Sequence, residues 1–78
     1  AEQRRRIWEG LLPAAAARAA DLDLSRCARD HELSGGEIKN VALAAAFLAA
    51  NEGGPIAMRH VQQAVHRELL KSGRLADL

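Results

Sequence analysis

The chain has 78 residues, with 11 Lys and Arg against 10 Asp and Glu and a net charge of +1. That length holds one small domain, and the balanced charge gives no general reason to expect a nucleic-acid or membrane partner. Apolar residues make up 49% and aromatic ones only 3%, an alanine-rich balance that favours closely packed helices over sheets.

A chain this short buries somewhat over ~60% of its unfolded surface, so its stability rests on good helix packing. The single cysteine, Cys27, has no partner for an internal disulfide, which suits a reducing, cytoplasmic setting. It lies in an apolar helical pattern and is expected to be a buried structural thiol. No apolar run approaches the ~18–20 residues of a membrane span, and no secretory signal is visible. The sequence opens on Ala1-Glu2-Gln3-Arg4 without an initiator Met, as expected of a domain cut from a longer protein.

The first helix is expected over about 3–12. Ile7, Trp8, Leu11 and Leu12 form its apolar stripe, opposed by Glu2, Arg5, Arg6 and Glu9. Gly10 weakens it and Pro13 ends it. The stretch Ala14 to Ala20 favours helix by composition but holds no large apolar anchor, so it reads as a loop, and whether it takes up helical turns is left open by the sequence. A second helix over about 23–31 starts at Asp23, a good N-cap, and buries Leu24, Cys27 and Ala28.

The third helix is expected over about 35–51. Ser34 is its N-cap and Glu37, three residues on, completes a capping box. Ile38, Val41, Ala42, Ala45, Leu48 and Ala49 form one face, while Leu43, Ala46, Phe47 and Ala50 cover much of the rest. A helix apolar nearly all round belongs at the centre of a fold, which makes Phe47 a core residue by this reading. Asn51-Glu52-Gly53-Gly54-Pro55 stops it.

A fourth helix follows over about 58–72. Val61, Ala64, Val65 and Leu69 face inward, and Arg59, Gln62, Gln63, His66, Arg67 and Lys71 face water. Ala57 stands where a Ser or Thr cap is expected, so this start reads as poorly capped, and Gly73 is a C′ candidate. The fold expected is all-α: one compact four-helix domain over residues 1–78 with helix three central. No internal repeat is evident.

The most informative run is Leu33-Ser34-Gly35-Gly36-Glu37, at the mouth of the third helix. A helix N-terminus offers unpaired N–H groups and a partial positive charge, and glycine lets a ligand approach the backbone closely. The plain alternative is that Ser34 only caps and the glycines only shape a tight turn. The run resembles the signature loop of ABC ATPases, and Val41-Ala42-Leu43-Ala44 suits the helix that follows there. That family then requires an apolar strand ending in Asp-Glu, where this chain reads Asn51-Glu52-Gly53-Gly54-Pro55-Ile56-Ala57-Met58 and enters another helix.

A longer resemblance covers nearly the whole chain. Arg4-Arg5-Arg6-Ile7-Trp8, then Asp21-Leu22-Asp23-Leu24 with Cys27-Ala28, then Leu33-Ser34-Gly35-Gly36-Glu37-Ile38 with Asn40, then Ile56-Ala57-Met58 with Val61, Ala64 and Val65 follow one another in order. Together they resemble the four-helix C-terminal lid of AAA-type (AAA+) ATPases. The resemblance implies that Ser34, Gly35 and Gly36, with Leu33 in support, lie beside the adenine and ribose of a bound nucleotide. It implies an upstream P-loop domain holding ATP or ADP with magnesium, and neighbouring subunits of a homo-hexamer, as partners. Glu37 and Lys39 occupy the region where many relatives carry a sensor arginine, so the chain fits the branch lacking it. Leu43-Ala44 stands where the family often has a polar Asn-Glu pair, so any role of that pair between subunits does not transfer.

The chain carries no phosphate-binding Gly-x-x-x-x-Gly-Lys-Ser/Thr loop and no apolar strand closing on Asp-Glu. It is therefore expected not to be an enzyme and, as an isolated fragment, to hold no cofactor. His31, His60 and His66 lack metal-ligand company: the last two are six residues apart, on roughly opposite sides of a helix. The Arg4-Arg5-Arg6 run reads as a solvated helix face, and Trp8, its only aromatic neighbour, reads as core, so nucleic-acid binding is not indicated. Besides the lid and the ABC fragment, a small helical protein-interaction module without a nucleotide role accounts for the same helices.

Overall fold

Four α-helices account for the secondary structure in the computed structural model, which describes residues 2–12 and 17–73. They are α1 (Glu2–Leu11), α2 (Leu24–Asp30), α3 (Gly35–Glu52) and α4 (Met58–Lys71). The fold is all-α, as the sequence implies. α3 packs against both α1 and α4, while α2 packs chiefly on α1.

The α1 stripe delivers Trp8 and Leu12 to the core, with Ile7 and Leu11 packed against it. The helix ends at Leu11, with the Leu12 N–H donating to the Trp8 carbonyl at 3.3 Å. Pro13 and the alanines 14–16 lie outside the described residues. The arginine run is not simply a solvated face. Arg5 pairs with Glu2 at 2.7 Å, but Arg4 is half-buried and donates from Nε to the Ala28 carbonyl at 2.9 Å. Ala28 lies in the last turn of α2, whose carbonyls have no partners inside their own helix, so a cation there is doubly favourable.

The described part of the segment before α2 is a loop, as the sequence implies, with no helical turn at residues 17–19. Arg18 instead pairs with Ile56 in an isolated parallel bridge. The Ile56 N–H donates to the Ala17 carbonyl at 2.9 Å and the Ala19 N–H to the Ile56 carbonyl at 2.8 Å. Ile56 is buried, so its backbone groups need partners inside the protein, and this segment supplies both. Asp23 then caps α2, accepting from the Arg26 N–H at 3.1 Å, and Leu24, Cys27 and Ala28 are buried. The Cys27 Sγ sits 3.7 Å from the Met58 Sδ. Burial holds the thiol up near 11, first through lost hydration and second through the Asp23 charge, so it is an inert packing group.

On α3, Ile38, Val41, Ala42, Ala45 and Ala49 are buried. Phe47, expected in the core, is 66% exposed, and Leu43 is 61% exposed. They stand about 200° and 240° round the helix from Val41. α1 and α4 meet the core side, and no described element covers the other. Gly53 closes the helix in the left-handed conformation at φ 72°, its N–H reaching the Ala49 and Ala50 carbonyls. That backbone region is one glycine enters without steric penalty.

The start of α4 is well capped, correcting the expectation from Ala57. The His60 Nδ1 accepts from the Ala57 N–H at 2.9 Å, and the Asp21 carboxylate accepts from the Met58 N–H at 3.2 Å. With Nδ1 accepting, the neutral imidazole carries its proton on Nε2, which lies 3.0 Å from the Glu52 Oε1. Arg59 also clasps Glu52, its Nη1 donating to Oε2 at 3.0 Å. The bonds from Arg59 and then His60 hold the Glu52 carboxyl down at about 2. His60 is buried, so its ring works as a strut between the end of α3 and the start of α4. Val61, Ala64 and Val65 face the core as expected, and the Glu68 carboxylate is buried with them.

Candidate functional site

The mouth of α3 is built by a short local program. Ser34 adopts extended backbone (φ −69°, ψ 164°), its Oγ accepting from the Glu37 N–H at 3.2 Å. The Glu37 Oε1 accepts from the Ser34 N–H at 2.9 Å, closing the capping box that the sequence predicts. Leu33 and Ile38, before the cap and at the fourth helical position, are both buried in the core. This is the hydrophobic-staple arrangement that fixes how the chain enters a helix.

Gly35 and Gly36 form the first two helical positions and are both exposed. Neither has a positive φ, a feature confined among the described residues to Gly53 and Gly73. Among the described residues, a Cβ on Gly35 would meet only the Ile7 Cδ1, at 4.0 Å, and one on Gly36 would meet nothing within 4 Å. Hence neither backbone conformation nor packing against the described residues requires glycine at either place. No hydrogen bond among the described residues uses their N–H groups.

Ser34, Gly35 and Gly36 therefore form one rigid, open backbone surface, bordered by Ile7 of α1. Ile7 packs against the core, as its place in the α1 stripe implies, and also reaches this mouth, which its position in the sequence does not show. Chemically the surface suits a flat or uncharged polar group. Two N–H donors are available, while the Glu37 carboxylate already occupies the positive end of the helix dipole and opposes a second anion. A phosphate is thus less well matched here than a base or a sugar.

Among the described residues, no group of three or more His, Cys, Asp or Glu is placed to hold a metal. No helix of the described residues is long and apolar enough to cross a membrane. Comparison with protein families, curated proteins and solved structures returns no match for this chain.

Proposed function

We propose that this chain is the helical lid of an AAA-type ATPase. In that reading an upstream P-loop domain binds ATP with magnesium and hydrolyses it, while the lid closes over the base and ribose. Ser34, Gly35 and Gly36 form the wall on that side of the nucleotide. The lid carries no catalytic residue, works in the cytoplasm, and relays nucleotide state to neighbouring subunits of a hexamer by moving as a rigid body.

One observation supports this reading above the others. Two consecutive glycines stand at a firmly capped helix start where neither their backbone conformation nor any described residue calls for them. Glycine in a helix is less favourable than alanine, so a demand from outside the chain, close approach of a flat ligand, accounts for what the fold does not. The order of the four lid-like motifs along the chain adds to it.

The decisive test is the natural reading frame. The lid reading requires a phosphate-binding loop and an Asp-Glu strand within about 200 residues upstream of Ala1. In that longer protein, Gly36→Val should raise the KM for ATP or abolish turnover while leaving the isolated chain folded. An upstream region without a P-loop, or a Gly36→Val parent with unchanged nucleotide affinity, refutes the assignment.

A further inference from the structure

Leu43 and Phe47 lie one turn apart on α3, exposed, and they edge a groove of about 700 Å³ between α3 and α4. The groove also takes in Ala44 and Ala64, so no bulky side chain from those positions fills it. On the α4 side stand Arg67 and Lys71, again one turn apart.

Charge separates the two walls. Among the described residues Glu68 is the groove's only carboxylate, and both its oxygens are engaged: Oε2 by the Asn40 Nδ2 at 3.4 Å and Oε1 by the Lys71 Nζ at 3.2 Å. Arg67 is exposed and forms no ion pair among the described residues. The groove thus pairs an apolar wall on α3 with a net positive wall on α4.

We propose that this groove is a docking site for an acidic amphipathic helix of a partner polypeptide. A helix fits the dimensions. From Asn40 to Leu48 the groove follows α3 for about 12 Å, two turns of a partner helix, and anchors spaced one turn apart match apolar residues at i and i+4. An Asp or Glu beside that apolar stripe would reach Arg67, giving the contact its orientation and partner choice. The inference rests on the groove alone and does not depend on the nucleotide reading.

The test uses the 78-residue chain and two synthetic amphipathic peptides of about 15 residues, long enough for partial helix in isolation. Both carry leucines spaced four apart, and they differ only in Glu or Lys beside that stripe. In ¹⁵N NMR titrations the Glu peptide should shift resonances of residues 40–48 and 64–71 saturably, and the Lys peptide should bind more weakly. Phe47→Ala should weaken the Glu peptide about tenfold or more. Arg67→Glu should reverse the preference between peptides. Both side chains are exposed, so both variants should keep the parent's circular dichroism spectrum. Absent or scattered shifts, or equal affinity for both peptides, overturn the proposal. So does concentration-dependent broadening of residues 40–48 without peptide, which would make a second copy the occupant.

Discussion

Gly36 and Gly53 make opposite predictions from the same substitution. Gly53 sits at φ 72°, where a side chain brings Cβ against the backbone at a cost of about 1–2 kcal/mol. Gly36 is helical without a positive φ, and a Cβ there meets no described residue within 4 Å. Gly36→Ala should remove unfolded-state freedom without native strain and so stabilise the chain by about 0.4–1 kcal/mol. For a domain of this size that is roughly a 2–8 °C rise in Tm, against a fall of roughly 4–16 °C for Gly53→Ala. Thermal and urea melts of both variants, followed by circular dichroism, give the two shifts directly. If Gly36→Ala destabilises the chain, the glycine serves the fold itself, and no ligand at this mouth is needed to account for it.

Three further outcomes are expected. Phe47→Ala should change stability by no more than about 0.5 kcal/mol, whereas Ile38→Ala, which empties a fully buried site, should cost about 2–5 kcal/mol; urea melts giving similar losses for both would contradict the exposed placement of Phe47. Glu52 titrates near 2 in the fold against an ordinary 4.5, so its contribution is full above pH 4.5 and vanishes as pH falls through about 2. The urea-midpoint gap between the parent and Glu52→Gln should therefore shrink over that window, and a gap constant from pH 7 to 2 would show that Arg59 and His60 do not stabilise the carboxylate. The chain alone should give no micromolar ATP isotherm in calorimetry, since it offers one wall of a cleft and no phosphate loop; a saturating isotherm would require a complete nucleotide site within it.

The helix limits were legible because their signals are local. Ser34 with Glu37, Asp23 and Gly53 all act within a few residues of the ends they fix, and each observed limit lies within one residue of its expected place. What could not be read depended on residues far apart. Asp21 caps α4 from 37 positions away, and Arg18 meets Ile56 across the whole of α2 and α3. Phe47 failed for a different reason. A helix apolar on every side has no pattern to tell which face the neighbours cover, and here two neighbouring helices cover only one. The His60 cap, by contrast, does have a local signal. The residue stands three positions after Ala57, as Glu37 does after Ser34, so an acceptor at that spacing could have announced half a capping box.

The His60 strut also bears on how the proposed lid would work. A part that relays nucleotide state by rigid-body movement must not flex between the helix touching the nucleotide and the helix behind it. α3 carries the glycine mouth at its first turn, and its last residue, Glu52, is bound by both His60 and Arg59 of α4. The five residues between the helices are fixed as well, by the Gly53 turn, the Ile56 bridge and the Ala57 bond to His60. Movement imposed at Gly35 and Gly36 would therefore pass along α3 into α4 rather than dissipate in the connection. His60→Ala removes the strut, leaves Glu52 to Arg59 alone and opens a space beneath the start of α4. Hydrogen exchange at residues 58–61 should then rise well above that of residues 41–45, which the strut does not touch. Equal protection of both segments in that variant would show that core packing, and not the Glu52–His60 link, couples the two helices.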